Sequence, residues 1–206
     1  MKTAACEDHA GPLKLGLRQL REDQQYRRIA PRRRALLVQA ALEDGRGMAQ
    51  RIRQRFGCHP AAIAAQCGVA VVRSRNDGGY GSVIVYADYT ARPPRVTLYV
   101  PAILRLDALI AQRADVLGPG IDSTLPVFLA HELYHHFDVT RAGPPLSRQH
   151  AVCIFRVANW SWNSGLASLA EIAAGSFAQH LLGLSFHPKL LERYLLEANS
   201  RHGDAR

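Results

Sequence analysis

Two histidines four positions apart, with a glutamate beside the first, can bind a metal ion and set water to work on it. The run His131-Glu132-Leu133-Tyr134-His135 spells H-E-x-x-H. On a helix, residues i and i+4 lie one above the other on a single face, so both imidazoles can reach one ion. Glu132, one step around the helix, is then placed as general base on the water that the ion activates, the arrangement of zinc hydrolases. Histidines on an amphipathic helix can also be nothing more than polar surface. Here Phe128-Leu129-Ala130 and Leu133 flank them and mark a largely buried helix. Buried imidazoles need partners, and a metal supplies one.

A zinc site that cleaves peptides takes two histidines and a carboxylate and keeps a fourth position for water. Between Asp138 and Glu192 the sole acidic residue is Glu171, in the small and apolar stretch Ser168 to Ala178. Burying it there is costly without a cation or another partner. A salt bridge to an arginine such as Arg156 is the plainer alternative. Gly175 and the alanines would let this segment approach the first helix closely. Three ligands leave an open position, and of the cysteines only Cys153 falls near the motif, so a closed structural zinc site fits less well. An oxyanion donor is also expected. Tyr134, His136, His150 and His180 are candidates, and the sequence selects none of them. His136 is expected to be exposed; His180 lies about two and a half turns beyond Glu171 and could share its face.

The elements that must position these residues follow from periodicity and punctuation. Asp122, Ser123 and Thr124 are candidate N-caps for the motif helix, Pro126 suits its first turn, and Gly143-Pro144-Pro145 ends it. A second helix is expected from Ser168 to Leu182, with Leu169, Ile172, Ala173, Phe177, Leu181 and Leu182 as its core stripe. Strands are expected at Val69–Val72, Tyr80–Tyr89 and Arg95–Val100, with a turn at Asn76–Gly79 between the first two. They would make a small, mostly antiparallel sheet, followed by a helix from about Ala102 to Arg113. Upstream, Leu13–Arg28 reads as a helix broken by Pro31, and Ala35–Glu43 and Met48–Phe56 as separate stretches divided by Gly45 and Gly47. Pro60–Gln66 reads as a short helix, Gln149–Trp162 as partly strand, and Lys189–Ala198 as a last helix. The class is α+β.

The 206 residues fit one domain, and 48% hydrophobic with 21% charged residues reads as globular. The expected division is a basic, helical and partly flexible extension at 1–47, a catalytic domain at 48–190, and a helix and tail at 191–206. No run of eighteen apolar residues and no secretory-type stretch is present, and Cys6, Cys58, Cys67 and Cys153 form no CxxC pair. A cytoplasmic protein with free thiols and no membrane partner is expected. The net charge of +9 is uneven: residues 1–75 hold 15 Lys+Arg against 6 Asp+Glu, and residues 76–206 hold 11 against 11. Such a basic half could meet DNA or an acidic protein. A solvated arginine surface is the simpler account, because the arginines are not grouped on a reading face.

The second helix carries a further pattern. Glu171-Ile172-Ala173-Ala174 and Phe177-Ala178, followed by Leu181-Leu182 and Pro188, resemble the E-x-x-A-x-x-F-A-x-x-L-L…P signature that follows H-E-x-x-H in the ImmA/IrrE metallopeptidase family. The resemblance runs from about residue 48 to 190. It implies a compact zincin-like fold, a gluzincin-type site, and cleavage of intracellular regulators such as repressors. It maps His131 and His135 onto the zinc histidines, Glu132 onto the base and Glu171 onto the carboxylate ligand. The chain departs from the pattern at Ala173, where a second acidic residue is common, and at His187, which precedes Pro188 in place of methionine. The expectation is a zinc-dependent metallopeptidase acting on an intracellular protein or peptide, with Zn2+ as cofactor and a transcriptional repressor as one substrate class. The alternative is a regulatory, toxin–antitoxin-type binding protein that keeps the zinc fold with little proteolysis, its basic N-terminal part contacting DNA or an acidic partner.

Overall fold

The computed structural model describes residues 11–81, 83–111, 123–157 and 160–191. The expected cap at Asp122, the thiol of Cys6, the end of the Ala102–Arg113 helix and the tail helix beyond Leu191 lie outside these residues. The architecture is mixed α+β. Helix α1 (Pro12–Arg21) is followed by a 3-10 turn at Tyr26–Arg28, then α2 (Pro31–Phe56) and α3 (Pro60–Gln66). Each of these three helices begins on a proline, whose fixed φ suits a first helical position and whose missing N–H costs nothing there. Pro31 therefore starts a helix as well as ending the segment before it.

Strands β1 (Ala70–Ser74), β2 (Gly79–Tyr80), β3 (Val83–Ile84), β4 (Ala87–Ala91) and β5 (Pro94–Tyr99) come next, and α4 (Val100–Ala111) leaves directly from β5. The three-stranded sheet has the order β1-β5-β4, with β1 parallel and β4 antiparallel to β5. It is thus a mixed sheet rather than a mostly antiparallel one, and Tyr80–Tyr89 is three short strands rather than one. Burial explains the order. β5 buries Val96 and Leu98 completely at a spacing of two and takes the centre, whereas Val71 and Val72 of β1 are exposed at an edge.

Helix α5 (Leu125–Thr140), the short α6 (Leu146–Gln149), the hairpin β6 (Val152–Val157) and β7 (Trp160–Ser164), and α7 (Ala167–Leu182) complete the described fold. Between Ser168 and Ala178 every α7 residue except Ala170 and Glu171 is buried. Leu169, Ile172 and Phe177 meet Leu129, Leu133 and Tyr134 of α5 within one core that also takes Leu37, Val38, Met48 and Ile52 of α2. Each such large side chain contributes about 1.5–3 kcal/mol by leaving water.

The expected break at Gly45 and Gly47 is absent: α2 is one helix, and the boundary expected between residues 47 and 48 falls inside it. Gly45 serves contact instead. A Cβ there would run into the carbonyl of Ala173 and stand 2.9 Å from the amide nitrogen of Phe177, so the glycine lets α2 lie against the backbone of α7. One turn away, the Ser176 hydroxyl donates to the Leu42 carbonyl at 2.7 Å. Arg32, Arg33, Arg46, Arg51, Arg53 and Arg55 stay on the exposed side of α2. No helix among the described residues is long and apolar enough to cross a membrane.

Candidate metal centre

The motif helix is held at its start from outside. Thr124 is its N-cap without a side-chain cap bond of its own. The Asp107 carboxylate on α4 accepts from the Thr124 amide at 2.8 Å, the Thr124 hydroxyl at 2.7 Å and the Ser123 hydroxyl at 2.8 Å, putting negative charge at the helix N-terminus. The second helix is set in the same way. Asp23, in the loop after α1, accepts from the Ser168 amide at 3.0 Å and the Ser168 hydroxyl at 2.9 Å. Ser168, expected as the first residue of this helix, lies in its first turn and is the residue held.

Between these two anchored helices the predicted ligands meet. The rings of His131 and His135 lie one turn apart on α5, edge to face, with centroids 5.2 Å from each other. Their Nε2 atoms face the two oxygens of the Glu171 carboxylate on α7, His131 at 3.1 Å and His135 at 3.3 Å. One ligand atom from each of the three residues lies within 4.8 Å of the others, so the group could hold a metal ion. Ligands at about 2.0–2.2 Å from one tetrahedral ion stand roughly 3.3–3.6 Å apart. The observed nitrogen–oxygen separations come close to that spacing. Among the described residues Glu171 forms no salt bridge to an arginine; its ionic partners there are the two histidines.

The electrostatics suit the same use. Burial, aided by the charge of His131, pushes the His135 imidazole down to about 4, so its lone pair is free at neutral pH. Burial alone would raise the Glu171 carboxyl, but the hydrogen bond from His131 and the charges of His131, His135 and Lys189 outweigh it and bring it to about 2. Glu132 goes the other way. Burial pushes its carboxyl up to about 7, with Glu171 and Asp88 acting in the same sense and His131 opposing. A carboxyl balanced near neutrality next to two nitrogen ligands can both take and return a proton.

Of the residues considered as oxyanion donors, three are spent elsewhere. The Tyr134 hydroxyl donates to Asp44 at 2.7 Å, His136 is buried rather than exposed and pairs with the Tyr89 hydroxyl at 2.9 Å, and His180 Nδ1 lies 2.8 Å from the Ser176 carbonyl of its own helix. Two features were not anticipated from the sequence. One is an ionic group further along α5, toward its C-terminal end. Arg141 donates to both oxygens of Asp44 at 2.8 Å and meets Asp138 at 2.8 Å, and Asp138 accepts the Leu146 amide at 3.0 Å. The other is His187, buried beside the centre; burial and the charges of His131, Lys189 and His180 push its ring down to about 4. Its position before Pro188 was the available signal, but burial is a tertiary property.

Two cavities meet at Glu171. A cleft of about 440 Å³ runs along the loop after α1 and the start of α7, lined by Gln19, Glu22, Gln25, Ser164, Ser168 and Glu171. A smaller one of about 40 Å³ lies between His131, Glu171 and His187. Compared with known proteins, the chain matches no family model, no curated protein and no solved structure.

Proposed function

We propose that the chain is a zinc-dependent metallopeptidase that hydrolyses a peptide bond in a protein substrate. The observation that carries this reading is the meeting of the His131 and His135 Nε2 atoms with the two Glu171 oxygens at 3.1 and 3.3 Å. These three residues would hold the ion. Zinc bound in such a site supplies Lewis acidity, which lowers the pKa of water toward neutrality and polarises a carbonyl. Glu132 takes a proton from the attacking water onto a carboxylate oxygen and delivers it to the leaving amide nitrogen. The cleft along α1 and α7 gives an extended peptide a place to lie up to Glu171. The resemblance of residues 48–190 to ImmA/IrrE peptidases makes a regulator such as a repressor the first substrate to try.

The test is Glu132→Gln in the full chain. It should retain zinc, measured by elemental analysis, and lose hydrolysis of an unfolded protein substrate by at least about a hundredfold, the scale of a lost general base. A Glu132→Gln protein that still cleaves at the wild-type rate would refute the reading.

A further inference from the structure

Glu171 and Gly175 are one turn apart on α7 and therefore share a face. The imidazole of His187 rests on that glycine: a Cβ at position 175 would stand 2.7 Å from its Cε1 and 3.1 Å from its Nε2. The absence of a side chain at 175 is what admits the ring, about 6 Å along the helix from Glu171 at about 1.5 Å per residue. His187 is only 5% exposed. Its Nδ1 accepts the Lys189 backbone N–H at 3.2 Å, so the neutral ring carries its hydrogen on Nε2. That Nε2 has no hydrogen-bond partner among the described residues. A buried donor without an acceptor is costly, and in folded proteins such groups mark a water, a ligand or a reacting atom. His187 lines the cavity of about 40 Å³ that His131 and Glu171 also line, room enough for a single oxygen-bearing group. Tyr134, His136 and His180 are committed to other acceptors or donors and leave this role open.

We propose that His187 is a catalytic residue of the peptidase, its Nε2–H donating to the carbonyl oxygen of the scissile peptide as that oxygen gains charge. The inference rests on the peptidase reading. When water adds to the carbonyl carbon, a C–O bond forms, the π pair of the carbonyl moves to its oxygen, and the displaced proton goes to Glu132. A fixed donor aimed at that oxygen strengthens as the charge grows and needs no rearrangement to do so. His187 is held by Lys189 behind it and by Gly175 beneath it, which supplies this fixity.

The test uses zinc-loaded full-length protein and the variants His187→Met and His187→Gln. Methionine fills the space without a donor and is what the resembled signature places before its proline; glutamine restores an N–H. His187→Met should lower kcat about 10²–10³-fold with KM and zinc content within twofold of wild type. His187→Gln should recover at least tenfold of that loss. A phosphinic peptide, a stable mimic of the charged oxygen, should bind His187→Met about a hundredfold more weakly by calorimetry, while a product peptide binds both proteins alike. In metal-free protein, nitrogen NMR should find the His187 proton on Nε2. Should His187→Met lose its fold, His187→Phe carries the same comparison. Wild-type kcat or unchanged phosphinate affinity in the donor-free variant overturns the assignment alone, as does a proton on Nδ1. Absence of both hydrolysis and phosphinate binding in zinc-loaded wild type overturns the peptidase reading and His187's role with it.

Discussion

Helix α5 carries two sets of polar groups, one around its middle and one toward its end, and they are built on opposite plans. In one, Asp44, Tyr134, Asp138 and Arg141 answer each other: both nitrogens of the guanidinium fork are bound, both Asp44 oxygens are bound, and Arg141 Nε is the group left without a partner. Burial would raise the Asp44 carboxyl, yet the hydrogen bonds from Arg141 and Tyr134 outweigh it and hold the group below its ordinary value. In the other, two imidazoles and one carboxylate aim their ligand atoms at a common point, with Glu171 retaining 46% side-chain exposure. The first set is closed on itself apart from Arg141 Nε and joins α2 to the end of α5. The second converges on a place where a cation would satisfy all three. Polarity inside a helix bundle therefore does not by itself mark a working site; convergence that the protein's own groups leave unanswered does.

That contrast can be broken most directly by substitution on each side. His135→Ala should drop bound zinc from about one ion per chain to near none, measured by elemental analysis, with little change in unfolding of the metal-free protein. Arg141→Ala should do the reverse, costing about 3–5 kcal/mol in denaturant unfolding because two buried carboxylates lose their cation, while zinc content is kept. If both variants lose zinc and stability together, the two sides are not separate devices.

Metal removal sharpens the same division with a smaller effect. Free zinc at a hundred times its dissociation constant should stabilise the wild type by about 2.7 kcal/mol, and chelation should remove that gain from Arg141→Ala as fully as from wild type. His135→Ala should show no response to either.

Acid should reach His135 and Asp44 in different windows. The folded His135 imidazole titrates at about 4 against 6.5 in an unfolded chain, so the unfolded state takes up the proton first and the stability of metal-free protein falls between those values. Asp44 is depressed from 3.8, so its contribution is intact above that value and is lost only as pH falls through the lower folded value. Relative to His135→Ala, metal-free wild type should lose stability between pH 6.5 and 4, and relative to Asp44→Asn below pH 4, read from unfolding curves at pH 7, 5 and 3. In Asp44→Asn the loss below pH 4 should shrink while the one above it remains.

The site was legible because its logic is local. Spacing by four put His131 and His135 on one face, and a solitary acid among alanines singled out Glu171. What the chain concealed was non-local. Gly45 has the look of a helix break until α7 is laid against it, and a glycine's own conformational freedom does not say whether it turns the chain or admits a neighbour. Asp44 and Arg141 are 97 positions apart, so their bond has no sequence signature. The parallel pairing of β1 with β5 depends on which strand is most buried, a property of the whole sheet. His136 was misjudged for the same reason: its partner, Tyr89, sits on a strand 47 positions earlier.

The bond from Asp23 to Ser168 carries a practical consequence. Trimming the arginine-rich leading third to obtain a tidier catalytic fragment would cut away the acid that steadies the first turn of α7, three residues ahead of Glu171. Such a fragment would retain every residue of the proposed chemistry and still present its third ligand from a frayed support.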